Sequence, residues 1–420
     1  MGRGARRGVA QIAFGTAAGQ AVLIAITPIL SRLYNESDFA VLQVFTGVAA
    51  FAAVLASLRL ELAIPLAKDD HQARSVLRAG LIGAAVVACV VWVAGLATEP
   101  LWARTAPLQG LADAWWLVPF TLAAIAVFQL ISAVLVRAER YGDLATRNTS
   151  QSLGTAAAQL GFGFGGMRPL GLLLGLSIGR MFGLASVFGR RRLFPPDPAS
   201  EGRRPVTVTD MLGALRRFRR FPLVTTWSGL MNVAGQYAPF FVFALLYTEQ
   251  QTGWLAFTAR VLALPVTVIG QAVAQVFIGR GANAQRGATG DLPRLTGLAV
   301  KRLAMVGVLP AVALAVLAPW AFDLIFGSNW HRAGQYAQVM AVAFLAQFVA
   351  GPVANVFNLL ERQGVALLSD SVRLVLVVAA PVVVWYLHGS DLLAVAAYAG
   401  VLTFSYLGVL ALAWGVLRHA

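Results

Sequence analysis

The sequence predicts an all-α polytopic membrane protein, with twelve transmembrane helices in two six-helix bundles. Three observations predict it. The chain has 420 residues, of which 58% are hydrophobic and 12% charged. Soluble domains are about 45–50% apolar and about 25% charged, so this excess cannot all hide in an aqueous core. Apolar runs long enough to span a bilayer, roughly 20 residues each, recur along the whole chain. The basic residues gather in alternate connections between those runs, which is the pattern that orients membrane proteins.

The runs fall at 8–31, 38–64, 75–98, 114–136, 146–164, 169–189, 222–247, 252–279, 299–325, 333–360, 364–387 and 392–417. With a cytoplasmic N-terminus, the 33 Lys and Arg residues sort cleanly. Cytoplasmic segments and their edges hold 25 of them, among them three in 137–147 and nine in 190–220. The opposite face holds Arg32, Arg104, Arg168 and Arg332, and the last four, Arg59, Arg180, Arg260 and Arg373, fall inside spans. Both termini are therefore expected in the cytoplasm. Arg3, Arg6 and Arg7 precede the first run, which continues to Leu30 without an evident cleavage site, so no removable leader is expected.

The longest connection, 190–220, divides the chain into a first bundle over 1–189 and a second over 221–420. It begins with three arginines and a Pro-rich stretch, PPDPASEGRRP, that reads as flexible. Its end, MLGALRRFRR, reads as a short amphipathic helix with Met211, Leu212, Leu215 and Phe218 near helical spacing. Such a helix suits the anionic cytoplasmic leaflet, and a basic loop that only fixes topology is an equally economical reading. The halves also echo each other. AGQ, LYNE and FTG begin at 18, 33 and 45, and AGQ, LYTE and FTA at 234, 246 and 257. Parallel repeats joined by a cytoplasmic loop are a common transporter plan, with the substrate path between halves.

Several chemistries are absent. There is no GxxxxGK[ST] phosphate loop and no HExxH, and a single cysteine, Cys89, makes neither a CxxC nor an intrachain disulfide. The four histidines are scattered, so neither a metal nor a cofactor is expected. The stretch GLSIG at 175–179 matches GxSxG in letters but lies in a predicted span, not on the strand-to-helix turn that motif needs. Gly171, Gly175, Gly179 and Gly183 instead repeat every four residues and give a flat face for close helix packing. The net charge of +15 lies in membrane-flanking loops rather than in a patch for nucleic acid. External connections are short, which disfavours an enzyme such as a membrane polymerase.

Ionisable groups at membrane depth are costly and often functional. Arg59, Arg180, Arg260 and Arg373 are cations and Glu61 and Asp370 are acids, so a shared interior would be net positive and suit an anionic substrate. Arginine also forks onto phosphate oxygens. The plainer reading is that Asp370 and Arg373, at i,i+3, pair with each other. Arg59 and Glu61, at i,i+2, are about 200° apart on a continuous helix and do not face each other. Each of those two also suits a snorkelling anchor role. Glu61 and Asp370 are the acids able to carry a coupling proton or hold sodium, or to serve only as ion-pair partners. Gln20, Asn232 and Gln236 are polar residues suited either to line a cavity or to tie helices together. Pro28, Pro239, Pro265, Pro352 and Pro381 are bending points.

Four stretches carry a family resemblance. SRLYNESDFAVLQVF followed by SLRLELAIPLAKDDHQA resembles the first hairpin of the polysaccharide and O-antigen-type lipid-linked oligosaccharide flippases, which belong to the multidrug/oligosaccharidyl-lipid/polysaccharide exporter superfamily. That hairpin ends on an RYExAIxLP-like run. Here Ala40 stands at the common Gly, Leu60 at the common Tyr and Ala67 at the common Pro. RRFRRFPLVTTWSGLMN, AFDLIFGSNWHRAGQYAQVMA and VFNLLERQGV are similar to the family's entry to span seven, its FGxxWxxAGxY stretch and its turn after span ten.

The resemblance implies a V-shaped, alternating-access transporter in the bacterial cytoplasmic membrane. It implies movement of an undecaprenyl-diphosphate-linked oligosaccharide from the inner to the outer leaflet, with membrane lipids and other glycan-assembly membrane proteins as candidate partners. The alternatives are a cation-coupled drug antiporter of the same superfamily, which would favour acids in the cavity, and a non-transporting scaffold, which needs no buried cations.

Overall fold

The computed structural model describes residues 3–102, 109–188, 205–266, 292–360 and 362–418. Every regular element among them is helical. The long helices of the first part are α1 (Arg3–Leu33), α2 (Glu36–Ser57) and α3 (Asp70–Trp102). A short α4 (Gln109–Asp113) is followed by α5 (Leu117–Arg137), α6 (Tyr141–Phe164) and α7 (Leu170–Phe188). Then come α8 (Val208–Arg217), α9 (Thr226–Leu246), α10 (Glu249–Pro265) and α11 (Leu292–Phe326). The chain closes with α12 (His331–Val339), α13 (Ala341–Val353), α14 (Asn355–Leu359), α15 (Gln363–Tyr386) and α16 (Asp391–Arg418).

Among the described residues, nine helices are long and apolar enough to cross a membrane. The pair Ser328–Val339 and Ala341–Phe357, bent by 56°, makes a tenth if it is one span. The other two expected spans correspond to α6 and α10. α6 is long enough, but its stretch Arg147–Ser152 is polar throughout, which is why apolarity alone misses it. The eighth expected span continues beyond residue 266, outside the described residues. Residues 190–204 of the 190–220 connection also lie outside them.

By contacts, the chain divides into two compact units, residues 1–26 with 44–234 and residues 27–43 with 235–420. Residues 27–43 thus group with the C-terminal helices, although they precede them by some 200 residues of chain.

In the first unit the glycine ladder packs α7 closely on α6. A β-carbon added at Gly175 would collide with Gln159, and one at Gly179 with Thr155 Oγ1 and, at 2.8 Å, the Thr155 nitrogen. α1 meets α6 in the same way, with Gly15 against Ala145 and Gly19 against Ser152. Asn148 Nδ2 donates to Thr16 Oγ1 (3.0 Å) and Thr149 Oγ1 to the Gly15 carbonyl (3.0 Å). Small residues and interhelical hydrogen bonds replace the hydrophobic drive that lipid removes.

The α2–α3 connection corrects the sequence reading. Its second span was expected to run to residue 64, but α2 ends at Ser57, because Leu58 (φ 48°) and Arg59 (φ 56°) turn left-handed. Two 3-10 turns follow, Leu60–Leu62 and Ile64–Leu66. Asp69 then caps α3, its Oδ1 accepting from the Gln72 N–H (2.7 Å), and Asp70 lies in the first turn, where the helix dipole favours a carboxylate.

The amphipathic segment is helical as α8, started by a Thr207–Asp210 capping box. Its expected apolar face is split. Ala214 and Phe218 are buried in a core with Leu60, Ile64, Val76, Leu77 and Leu130, whereas Leu212 is exposed. Arg78 Nη1 donates to the Val206 carbonyl (3.1 Å), and His71 lies 3.7 Å from Asp210. The helix therefore docks on α3 through only part of that face, Leu215 and Phe218, together with Ala214.

In the second unit, the sequence repeats acquire a structural counterpart. α2 and α10 both begin at the Glu of LYNE and LYTE, and the preceding residue caps each. Asn35 exchanges hydrogen bonds with Asp38 (2.8 and 2.9 Å), and Thr248 exchanges them with Gln251 (3.0 and 3.2 Å). Phe39, Phe257, Phe322, Phe326 and Trp330 form one aromatic cluster, with Phe257 stacked on Trp330 at 3.9 Å. Trp330 Nε1 donates to the Ser31 carbonyl (3.0 Å), and Ser31 Oγ donates to the Phe326 carbonyl (3.0 Å). Gly253 sits so close to the Glu36 backbone that any side chain would collide.

Candidate functional site

Each unit carries its own expected intramembrane charges. In the first unit, Arg59 and Glu61 sit in the turn after α2. They do not point apart as a continuous helix would require, because the helix has ended, and Arg59 Nη1 lies 3.5 Å from Glu61 Oε1. Glu61 is only 8% exposed. The pair is incomplete, since Arg59 Nε and Glu61 Oε2 are buried without a hydrogen-bond partner. Gly229 of α9 makes room for the guanidinium, and a β-carbon there would collide with it.

Arg180, midway along α7, has its Cζ 5.7 Å from the centroid of the Phe128 ring of α5. A second arginine shares that ring. Arg147, at the start of α6, stacks on it with Cζ at 3.7 Å from the centroid. The sequence reading counted Arg147 among the cytoplasmic edge charges, but it is 4% exposed and inside the unit. Its partners are the Phe128 carbonyl (3.0 Å), Ser132 Oγ and Asn148 Oδ1 (2.8 Å). The signal that could have found it is the polar run RNTSQS inside an expected span, since a helix so polar must turn that face to protein. Of the expected polar residues in this unit, Gln20 is half-buried on α1 and Asn232 is exposed on α9.

In the second unit, Arg260 of α10 is half-buried, with Cζ 5.9 Å from the Phe39 ring centroid. Among the described residues no carboxylate forms an ion pair with it. Arg373 pairs with Asp370 at 2.9 Å and lies over Tyr406 of α16 at 5.6 Å. Gln236 is exposed on α9. Arg180, Arg260 and Arg373 thus share one environment, a guanidinium within 6 Å of an aromatic ring, where the ring face partly replaces lost hydration.

One ion-pair network was not anticipated. Arg332 of α12 forks onto Asp391 of α16 (2.9 and 2.5 Å), and Tyr336 Oη donates to the same carboxylate (2.6 Å). It ties two helices together and leaves Arg332 committed. Among the described residues no group of three His, Cys, Asp or Glu side chains converges to hold a metal.

The family described as "Polysaccharide biosynthesis protein" matches residues 29–335, nearly three quarters of the chain. The chain belongs to that family. No curated protein matches it by sequence. Its fold is similar to those of several solved membrane transporters. A multidrug resistance MATE family transporter of the MOP superfamily, inward-facing, is similar with a TM-score of 0.64 and 16% identity, over 98% of this chain and 96% of that one. The lipid II flippase MurJ, in an inward closed conformation, has a TM-score of 0.69 at 9% identity, over 97% and 86%. A MOP superfamily transporter from Pyrococcus furiosus has a TM-score of 0.63 at 14% identity, over 98% and 95%. At these identities the likeness concerns the fold. This family member is therefore an all-α, multi-pass membrane protein with the transporter fold of those structures.

Proposed function

We propose that this polysaccharide biosynthesis protein is a flippase. Its substrate is an undecaprenyl-diphosphate-linked oligosaccharide, carried by alternating access between two bundles from the cytoplasmic to the outer leaflet of a bacterial inner membrane, for surface polysaccharide assembly. Both termini are cytoplasmic in this reading. The observation that carries it is the balance of intramembrane charge. Glu61 and Asp370, the two expected acids, are each neutralised by an adjacent arginine, while Arg260 has no ion-pair carboxylate among the described residues. Intramembrane charge with that balance favours an anion such as a diphosphate. The family's description and the fold shared with a lipid II flippase support the same reading.

A drug/cation antiporter would need a free acid in the membrane, and both candidate acids are in ion pairs. Reconstitution distinguishes the two. Proteoliposomes holding the full chain should move a fluorescent polyprenyl-diphosphate glycan between leaflets. Efflux of organic cations without any lipid movement would overturn the flippase reading.

A further inference from the structure

Arg147 is a buried cation with only neutral partners. Its three acceptors are a carbonyl, a hydroxyl and an amide oxygen, and its Nε is buried without a hydrogen-bond partner. A like charge, Arg180, acts on it across the Phe128 ring, from whose centroid the two Cζ atoms lie 3.7 and 5.7 Å. A buried charge of this kind is costly unless an opposite charge arrives. The local fold nonetheless holds the two together. Gly183, three residues after Arg180, lets the Phe128 ring approach α7, and that ring carries both guanidiniums.

We propose that Arg147 and Arg180 form a paired-cation site for a phosphate or diphosphate group inside the first unit. Arg180, half-buried on α7, contacts the group. Arg147 is a positioning residue: it acts through its charge, from behind, and holds the ring on which Arg180 rests. The site rests on the flippase reading only for the source of its ligand, since a lipid-linked diphosphate and a free one carry the same chemistry.

The test uses the purified full chain in detergent, with farnesyl diphosphate, inorganic diphosphate and farnesol as probes. Arg147→Gln keeps a donor for the Phe128 carbonyl but removes the charge, and it should weaken diphosphate binding about tenfold and flatten its salt dependence. Arg147→Lys keeps the charge and should stay near the parent. A merely structural arginine would give the reverse order, which would overturn the proposal. Arg180→Glu gives Arg147 an opposite charge, so it should raise the melting temperature while abolishing diphosphate binding. A lower melting temperature would overturn the coupling. If farnesyl diphosphate binds independently of Arg147, the paired site falls and the flippase reading stands. If inorganic diphosphate binds in an Arg147-dependent way and farnesyl diphosphate does not bind, the site stands and the lipid-linked substrate falls.

Discussion

Arg59 and Glu61 meet at 3.5 Å only because α2 stops two residues before Arg59. On an unbroken helix the pair would be about 200° apart. The left-handed turn at Leu58 and Arg59 folds the chain back, so that one buried carboxylate and one half-buried guanidinium share a corner beside Gly229. The corner couples backbone strain to charge placement.

Removing one member strands the other. Arg59→Ala leaves the Glu61 carboxylate buried and unpaired, which costs about 1–3 kcal/mol, and it should lower the melting temperature. Adding Glu61→Ala should recover most of that loss. Diphosphate binding should fall in both variants, because the guanidinium is gone from both. Full binding by the double variant would reduce Arg59 to an interfacial anchor.

Gly229 offers a test that leaves both charges in place. Gly229→Ala puts a methyl group where the Arg59 guanidinium now lies. The side chain must move, and the ion pair with it. Headgroup affinity should drop severalfold in equilibrium binding, with Glu61 unchanged. Equal affinity in parent and variant would show that the placement of Arg59 does not matter.

Much of this was legible in the sequence, for physical reasons. The period of apolar runs reflects membrane thickness, which acts on composition directly. The glycine ladder was readable because close helix approach demands small residues at a fixed spacing. The Asp370–Arg373 pair is one of the two readings that their i,i+3 spacing left open. What stayed hidden depends on where helices stop and what they face. Nothing in SLRLEL announces left-handed residues at Leu58 and Arg59. Arg147 looked like a loop-edge charge; the polar run RNTSQS hints at a protein-facing side, but its partners on α5 show only in the packing. Residues 27–43 grouped with the C-terminal helices because of aromatic contacts at very long sequence separation, which no local pattern encodes.

The glycine ladder predicts a sharp contrast between two substitutions. Gly179→Leu forces a side chain into Thr155 and the α6 backbone, so α7 must shift. The variant should lose several kcal/mol, in line with severe overpacking, and should accumulate poorly in membranes. Gly400, in α16, faces open space. Gly400→Ala should be neutral, or stabilising by up to about 1 kcal/mol through helix propensity. Thermal unfolding in detergent compares the two directly.

The Trp330 cluster predicts a long-range effect. Trp330 is fully buried, stacks on Phe257 and donates its indole N–H to Ser31. Trp330→Ala should cost about 3–5 kcal/mol. Trp330→Phe keeps the stacking and loses only the hydrogen bond, so about 1 kcal/mol is expected. Cysteine accessibility at Ser31 should rise in Trp330→Ala and stay low in Trp330→Phe. If Ser31→Cys labels equally in both backgrounds, the indole does not anchor residues 27–43.

Arg180 and Arg260 give the most direct test of transport. Each guanidinium rests near an aromatic ring, Phe128 and Phe39 respectively. Arg180→Ala and Arg260→Ala should leave the amount of protein in the membrane near the parent level, since neither change buries a new charge. Export of lipid-linked glycan should stop in the double variant if, as proposed, each arginine serves the anionic substrate. Lysine at both positions should recover only part of the rate, since it restores charge but not the planar fork that grips two phosphate oxygens. Reporter fusions fix the direction of movement in the same strains. A fusion at 202 should read cytoplasmic and one at 331 external, as the basic-residue bias requires. Normal export by the Arg180→Ala/Arg260→Ala variant, at normal protein level, would remove both residues from the substrate path.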